Sequence, residues 1–213
     1  SKLREGAIKY LLYVVNVNRL FDEALGTYDF DILLMVASKS NKDPKEYLPL
    51  IDGFKAITNE HYRRYKIDIH LHRYKSALSH ISACGENRLA ETLELIEEKR
   101  LFKEAIEIYA LDSAQPRATT ELGRQIWNLY GEYLFKKKYY VEAAIAFKRA
   151  ANYSQAFKMY LMCSNWNLAS VCARKMSSTA DGFAQVMQTV AQQLALNGHY
   201  SQSAYIYERY LKD

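Results

Sequence analysis

Apolar positions along the chain recur every three to four residues, and one motif repeats within that rhythm. An aromatic or bulky apolar residue is followed three places on by a small one, then four places later by another apolar residue. A loose version appears as Phe21/Ala24/Tyr28, Tyr74/Ala77/Ile81, Leu89/Thr92/Ile96, Phe102/Ala105/Tyr109, Tyr140/Ala143/Phe147, Tyr153/Ala156/Tyr160, Trp166/Ala169/Ala173 and Tyr200/Ser203/Tyr207. Positions i, i+3 and i+7 lie on one face of an α-helix, so each copy predicts a helix with a notched apolar stripe. The small residue lets a second helix approach, and the flanking rings fill the space beside it. Ala24, Ala77, Ala105, Ala143, Ala156 and Ala169 are the predicted helix-stacking positions.

Several of the small residues fall thirteen apart, at 92 and 105 and again at 143, 156 and 169. That spacing fits one short helix and a tight turn. Helices so short are marginal alone and need neighbours to cover the stripe. The prediction is an all-α fold, an α-solenoid of stacked helical hairpins of tetratricopeptide-like type, as a single elongated domain over 1–213. Wider spacings between Ala24 and Ala77, Ala105 and Ala143, and Ala169 and Ser203 leave room for inserted helices, one near 120–135. Strand signals are almost absent, and the punctuation of the chain does not mark hairpins.

The punctuation suits helices. DPKE at 43–46 reads as a start with Asp43 as cap, Pro44 in the first turn and Glu46 reaching back. Pro49 predicts that this helix is short or kinked. Gly85 and Gly198 read as helix stops. Loops are expected at 38–43, 112–119 and 177–181, with SAQPRAT at 113–119 the richest in turn formers.

Composition narrows the class. The 213 residues are 49% hydrophobic and 25% charged, which is globular rather than disordered. The longest apolar runs, such as YLLYVVNV at 10–17, fall far short of the roughly 20 residues of a spanning helix, so no membrane span is expected. Three cysteines, an odd number, predict reduced thiols in an intracellular protein. A chain beginning at Ser1 rather than Met is expected to be a piece of a longer one. The eighteen tyrosines sit mostly at stripe positions, which predicts packing rather than stacking platforms.

Catalytic and ligand motifs are absent from the sequence: there is no GxGxxG, Walker loop or HExxH. His70 and His72 would point in nearly opposite directions on a helix. His80 and Cys84 share a face, but zinc needs about four ligands and no second pair is near. No enzyme, cofactor or metal site is predicted. Glu94, Glu97 and Glu98 read as a solvated helix face. The segment HYRRYKIDIHLHRYK at 61–75 carries Arg63, Arg64, Lys66, Arg73 and Lys75 against one acid, Asp68, with tyrosines interleaved. These five are the candidate phosphate or RNA contacts. The competing reading is a basic solvated face, or one that pairs with acids on a neighbouring helix. Lys136, Lys137 and Lys138 form a second, weaker basic cluster at a predicted helix end.

A resemblance rests on three stretches: YDFDILLMVASKSNKDPKEYLPLIDGF at 28–54, RRYKIDIHLHRYKSALSHISACG at 63–85 and LIEEKRLFKEAIEIYA at 95–110. YGEYLF at 130–135 and CSNWNLA at 163–169 extend it over roughly 8–211. Together they resemble the C-terminal helical-repeat region of the family of the largest Elongator subunit. His70 and His72 depart from it, where acidic or basic residues are commoner. The resemblance implies a non-catalytic scaffold of a cytoplasmic complex, with the nucleus as a second compartment, that modifies wobble uridines of transfer RNA. It further implies other Elongator subunits as partners, including the catalytic subunit that carries the radical and acetyl-transfer chemistry, and a parent protein that forms a homodimer. Direct RNA binding by the 61–75 face and a coat or trafficking solenoid are the alternatives with the same architecture.

Overall fold

The computed structural model describes residues 2–40, 43–85, 88–109, 121–177 and 179–211. Among them there are fourteen α-helices and no strand. In chain order these are α1 (Lys2–Val14), α2 (Val17–Leu25), α3 (Phe30–Lys39), α4 (Pro44–Lys55), α5 (Glu60–His70), α6 (Tyr74–Ser82) and α7 (Leu89–Lys99), then α8 (Phe102–Tyr109), α9 (Glu121–Lys136), α10 (Tyr140–Arg149), α11 (Tyr153–Met162), α12 (Trp166–Met176), α13 (Ala180–Leu196) and α14 (Tyr200–Tyr210). They fall into two compact units, Ser1–Leu101 and Phe102–Asp213.

The notched stripe is what closes each helix against the next. Ala77, Ala105, Ala143, Ala156 and Ala169 are fully buried, and Ala24, Thr92 and Ser203 nearly so. In the first unit, α2, α3 and α4 enclose Phe21, Leu25, Leu33, Val36, Ile51 and Phe54 together with Ile67 from α5. In the second, α9 to α12 enclose Trp127, Ala143, Phe147, Ala156, Met159, Tyr160 and Cys172. A further core of Ala173, Met187, Val190, Leu194 and Ile206 joins α12, α13 and α14. Where α9 meets α10, a Cβ on Gly131 would lie 2.9 Å from the Phe147 ring, so the missing side chain sets how near the helices come.

The turns repeat as strictly as the stripe. Tyr28, His72, Lys138, Ala151 and Ser164 take left-handed backbone conformations, and Gly198 does so at the start of α14. Lys138, Ala151 and Ser164 are themselves thirteen apart. The residue after each of these three donates its backbone N–H to a carbonyl five back: Tyr139 to Leu134 at 3.0 Å, Asn152 to Phe147 at 2.9 Å and Asn165 to Tyr160 at 2.9 Å. This satisfies a carbonyl that the ended helix leaves open. The next residue, Tyr140, Tyr153 or Trp166, opens the following helix and is the first ring of its stripe. Asn152 and Asn165 cap these helices by accepting from Gln155 and Leu168.

Asp43 caps α4 by accepting from the Lys45 N–H, with Pro44 in the first turn. Pro49 does not shorten the helix: it sits on the exposed side and α4 runs on to Lys55. A missing N–H there leaves only one carbonyl unmet, where water reaches it. Gly85 and Gly198 both hold positive φ, as helix stops require. The helix predicted near 120–135 is α9. The turn-rich stretch 113–119 lies outside the described residues. At α14 the stripe is corrected. Tyr200 and Tyr207 are 72% and 40% exposed, and the helix packs through Ser203 and Ile206 instead. Ser203 Oγ donates to the Ala191 carbonyl at 2.8 Å, so a hydroxyl rather than a ring seats this helix. Tyr10, Tyr13, Tyr139 and Tyr205 are likewise exposed, so packing does not account for every tyrosine.

Candidate interaction face

The basic segment 61–75 forms α5, the turn after it and the start of α6. Asn59 caps α5 by accepting from the Tyr62 N–H at 2.9 Å. Tyr65, Ile67 and Asp68 are its buried residues, so α5 is covered on more than one side. Arg63, Arg64, Lys66 and Arg73 are held by groups of the first unit. Arg63 donates to the Ile57 carbonyl at 3.4 Å, with its guanidinium 5.8 Å from the Phe30 ring centre. Arg64 pairs with Glu60 one turn earlier and lies 5.2 Å from the Tyr28 ring. Lys66 pairs with Glu91 of α7 and lies 5.0 Å from the Tyr65 ring. Arg73 pairs with Glu23 of α2 at 2.9 Å and donates to the Gly26 carbonyl. Lys75 stands exposed on the first turn of α6. The face is therefore largely internally balanced.

The Lys66–Glu91 pair shapes its surroundings. Burial by itself would lower the Lys66 ammonium, but its bonds to Glu91 and Tyr62 outweigh that and hold it raised. Burial would likewise raise Glu91, and the bond to Lys66 overcomes it and leaves the carboxyl lowered. Tyr65 is pushed up by burial first and then by Glu91. On the other side, Arg73 leans on a bare backbone: a Cβ at Gly26 would collide with its guanidinium.

The sequence reading missed a buried polar cluster behind this face. Asp68 is fully buried, and Tyr28 Oη lies 2.9 Å from each of its carboxylate oxygens. His80 Nε2 stands 3.2 Å from the Tyr28 oxygen and 3.7 Å from Asp68 Oδ2. Burial raises the Asp68 carboxyl despite Tyr28, His80 and Arg73, and burial lowers His80 despite Asp68. His80 is thus neutral at pH 7, and the arrangement is a hydrogen-bond relay rather than an ion pair. A neutral Nε2–H donates to the Tyr28 oxygen, whose hydroxyl donates to Asp68. Tyr28 is pushed up to about 12 by burial and then by that bond. The signal in the sequence was one acid inside a basic run, three residues past Tyr65 on the inward face. His80 and Cys84 share a helical face, but the Cys84 thiol donates to the His80 backbone carbonyl at 3.5 Å while the imidazole faces Tyr28. Glu94, Glu97 and Glu98 are exposed, as a solvated face requires.

The helix-stacking alanines are all in place, but they serve the core rather than a ligand. Lys136, Lys137 and Lys138 are exposed at the α9–α10 turn. No described helix is long and apolar enough to cross a membrane.

Comparison with known proteins accords with this architecture. Residues 1–54 match the family described as the ELP1 alpha-solenoid, and residues 62–213 match the ELP1 TPR domain. Elongator complex protein 1 of Rattus norvegicus is 40% identical over 209 residues, 98% of this chain and 15% of the rat protein. That of Drosophila melanogaster is 34% identical over 213 residues, and that of Saccharomyces cerevisiae 29% over 197. The chain spans only a small part of these relatives: 15%, 16% and 14% of their lengths. With both of its helical units covered by that family's repeats, the chain belongs to the Elongator complex protein 1 family and is similar to its α-solenoid and TPR region.

Proposed function

We propose that this region is a non-catalytic scaffold of the Elongator complex, presenting helical-repeat surfaces on which other subunits, the catalytic one included, are seated while wobble uridines of transfer RNA are modified. The observation that carries the reading is the TPR-domain match over 62–213, joined to relatives named Elongator complex protein 1. Stacked repeats expose long surfaces built for partners. On this reading the parent works as a homodimer in the cytoplasm, with the nucleus as a second compartment. The coat-type alternative shares the rhythm. Co-purification of the parent with the catalytic subunit tests the proposal. Removal of 28–110 is expected to abolish it, and full assembly without that segment would remove this region from the scaffold.

A second reading, direct RNA binding by Arg63, Arg64, Lys66, Arg73 and Lys75, draws on the side chains of Arg64, Lys66 and Arg73 keeping 36%, 37% and 35% of their surface. Charge reversal at Arg63 and Arg64 then weakens transfer-RNA binding and lowers its salt slope by about one unit for each phosphate no longer neutralised. An unchanged affinity and slope would eliminate it.

A further inference from the structure

The positive charge of the chain is not confined to 61–75. Residues 121–176, α9 to α12, carry nine Lys and Arg against three Glu, whereas the whole chain has a net charge of +5. The rest of the chain, 61–75 included, sums to about neutral because acids elsewhere offset the basic segment. Among the described residues, no ion pair engages the cations of this stretch. Two of the acids already have neighbours on their own helix, since Gln125 donates to Glu121 and Asn128 to Glu132.

The same stretch exposes aliphatic side chains on two of its helices. α11 packs against both α10 and α12 through tight turns, so α10 and α12 run in the same direction. Two observations mark them as neighbours: Lys148 of α10 lowers the Cys172 thiol of α12, against the dominant effect of burial, and both helices contribute to one core. Val141 and Ile145 on α10 are 43% and 44% exposed; Leu168 and Val171 on α12 are 36% and 43% exposed. Lys148 and Lys175 are exposed on the same two faces, and Lys136 to Lys138 precede α10.

We propose that the outer face of α10 and α12 docks an acidic amphipathic helix of a partner protein. Its apolar stripe would lie on Val141, Ile145, Leu168 and Val171, and its carboxylates would meet Lys148, Lys175 and the 136–138 lysines. Charge complementarity selects an acidic partner, and the chemistry of the patch selects a protein. Single-stranded nucleic acid is held by stacking on aromatic faces, whereas the four central residues here are aliphatic. An amphipathic helix buries such residues at i, i+3 and i+4 spacing. The inference rests on the scaffold reading and names one kind of partner for it.

The test uses the full chain and a fluorescein-labelled helical peptide of about five turns, with leucines along one stripe and glutamates flanking them. A peptide of the same composition with its leucines scattered serves as control. Binding is expected to be at least about tenfold tighter for the amphipathic peptide and to weaken about tenfold in the double variant Ile145→Asp, Val171→Asp. It should also weaken as salt rises from about 50 to about 300 mM. Both substituted residues are exposed, so circular dichroism should stay unchanged; Val141→Ser with Leu168→Ser provides a second, uncharged variant. Equal binding of the two peptides, or binding that survives both variants, overturns the proposal. So does displacement of the peptide by oligouridine through these residues, or self-association that Ile145→Asp abolishes. Failure of the scaffold reading looks different: the parent would lose its other subunits in co-purification while the peptide still bound.

Discussion

Burial raises the Asp68 carboxyl, and its effect on stability depends on pH in a way that can be measured. Its folded-state pKa is raised above the ordinary carboxyl value of 3.8, so the stability it contributes is full below that value and is lost as pH rises through the raised one. His80 works in the opposite sense. Its folded pKa lies below 6.5, so its contribution is full above 6.5 and is lost as pH falls toward the lowered value. Asp68→Asn keeps an acceptor for the Tyr28 hydroxyl and removes the buried charge. The variant is therefore expected to gain on the parent as pH is raised from 4 toward 7, with urea midpoints as the readout. A gap between the two that does not change with pH would show that the Asp68 carboxyl is not raised in the fold. Tyr28→Phe should cost about 1–3 kcal/mol at pH 7, because it leaves the buried carboxylate without its donor.

The helices depend on two kinds of position, the notch and the turn. A larger residue at a notch has no space to enter: Ala156→Leu is expected to destabilise by about 1–3 kcal/mol, measured by chemical unfolding. At the turn the strain runs the other way. Ala151 is exposed and holds φ 58°, a conformation that costs a side chain roughly 1–2 kcal/mol relative to glycine. Ala151→Gly should therefore stabilise by about 0.5–1 kcal/mol once glycine's greater freedom in the unfolded chain is offset. Unchanged or lower stability would mean the turn is not under that strain. The thirteen-residue rhythm is the joint product of these positions. A left-handed residue, a cap and a ring follow one another, with the small residue three further on.

Across the whole chain, the balance of charge separates two basic regions that look alike in sequence. The cations of 61–75 face Glu23, Glu60 and Glu91, which come from other parts of the first unit and from the same helix. Those of 121–176 have no such partners among the described ion pairs. A polyanion should therefore settle on the second region. Lysine footprinting by acetylation in the presence of heparin is expected to protect Lys136, Lys137, Lys138, Lys148 and Lys175 more than Lys66. Stronger protection over 61–75 would return the RNA reading to first place.

The helical class, the stripe, the burial of its small residues, the cap at Asp43 and the stops at Gly85 and Gly198 were legible in the sequence, because each depends on residues within one or two turns. The family was legible too, in contiguous stretches such as KDPKEYLP. Three things were not legible. The outward turn of Tyr200 and Tyr207 depends on which face of α14 meets α13. The relay from His80 through Tyr28 to Asp68 joins residues forty and more positions apart. The fate of each basic side chain depends on whether a carboxylate from another helix comes within reach. Local periodicity determines which residues face inward, but only packing between helices decides which polar groups meet there and which charges remain for a partner.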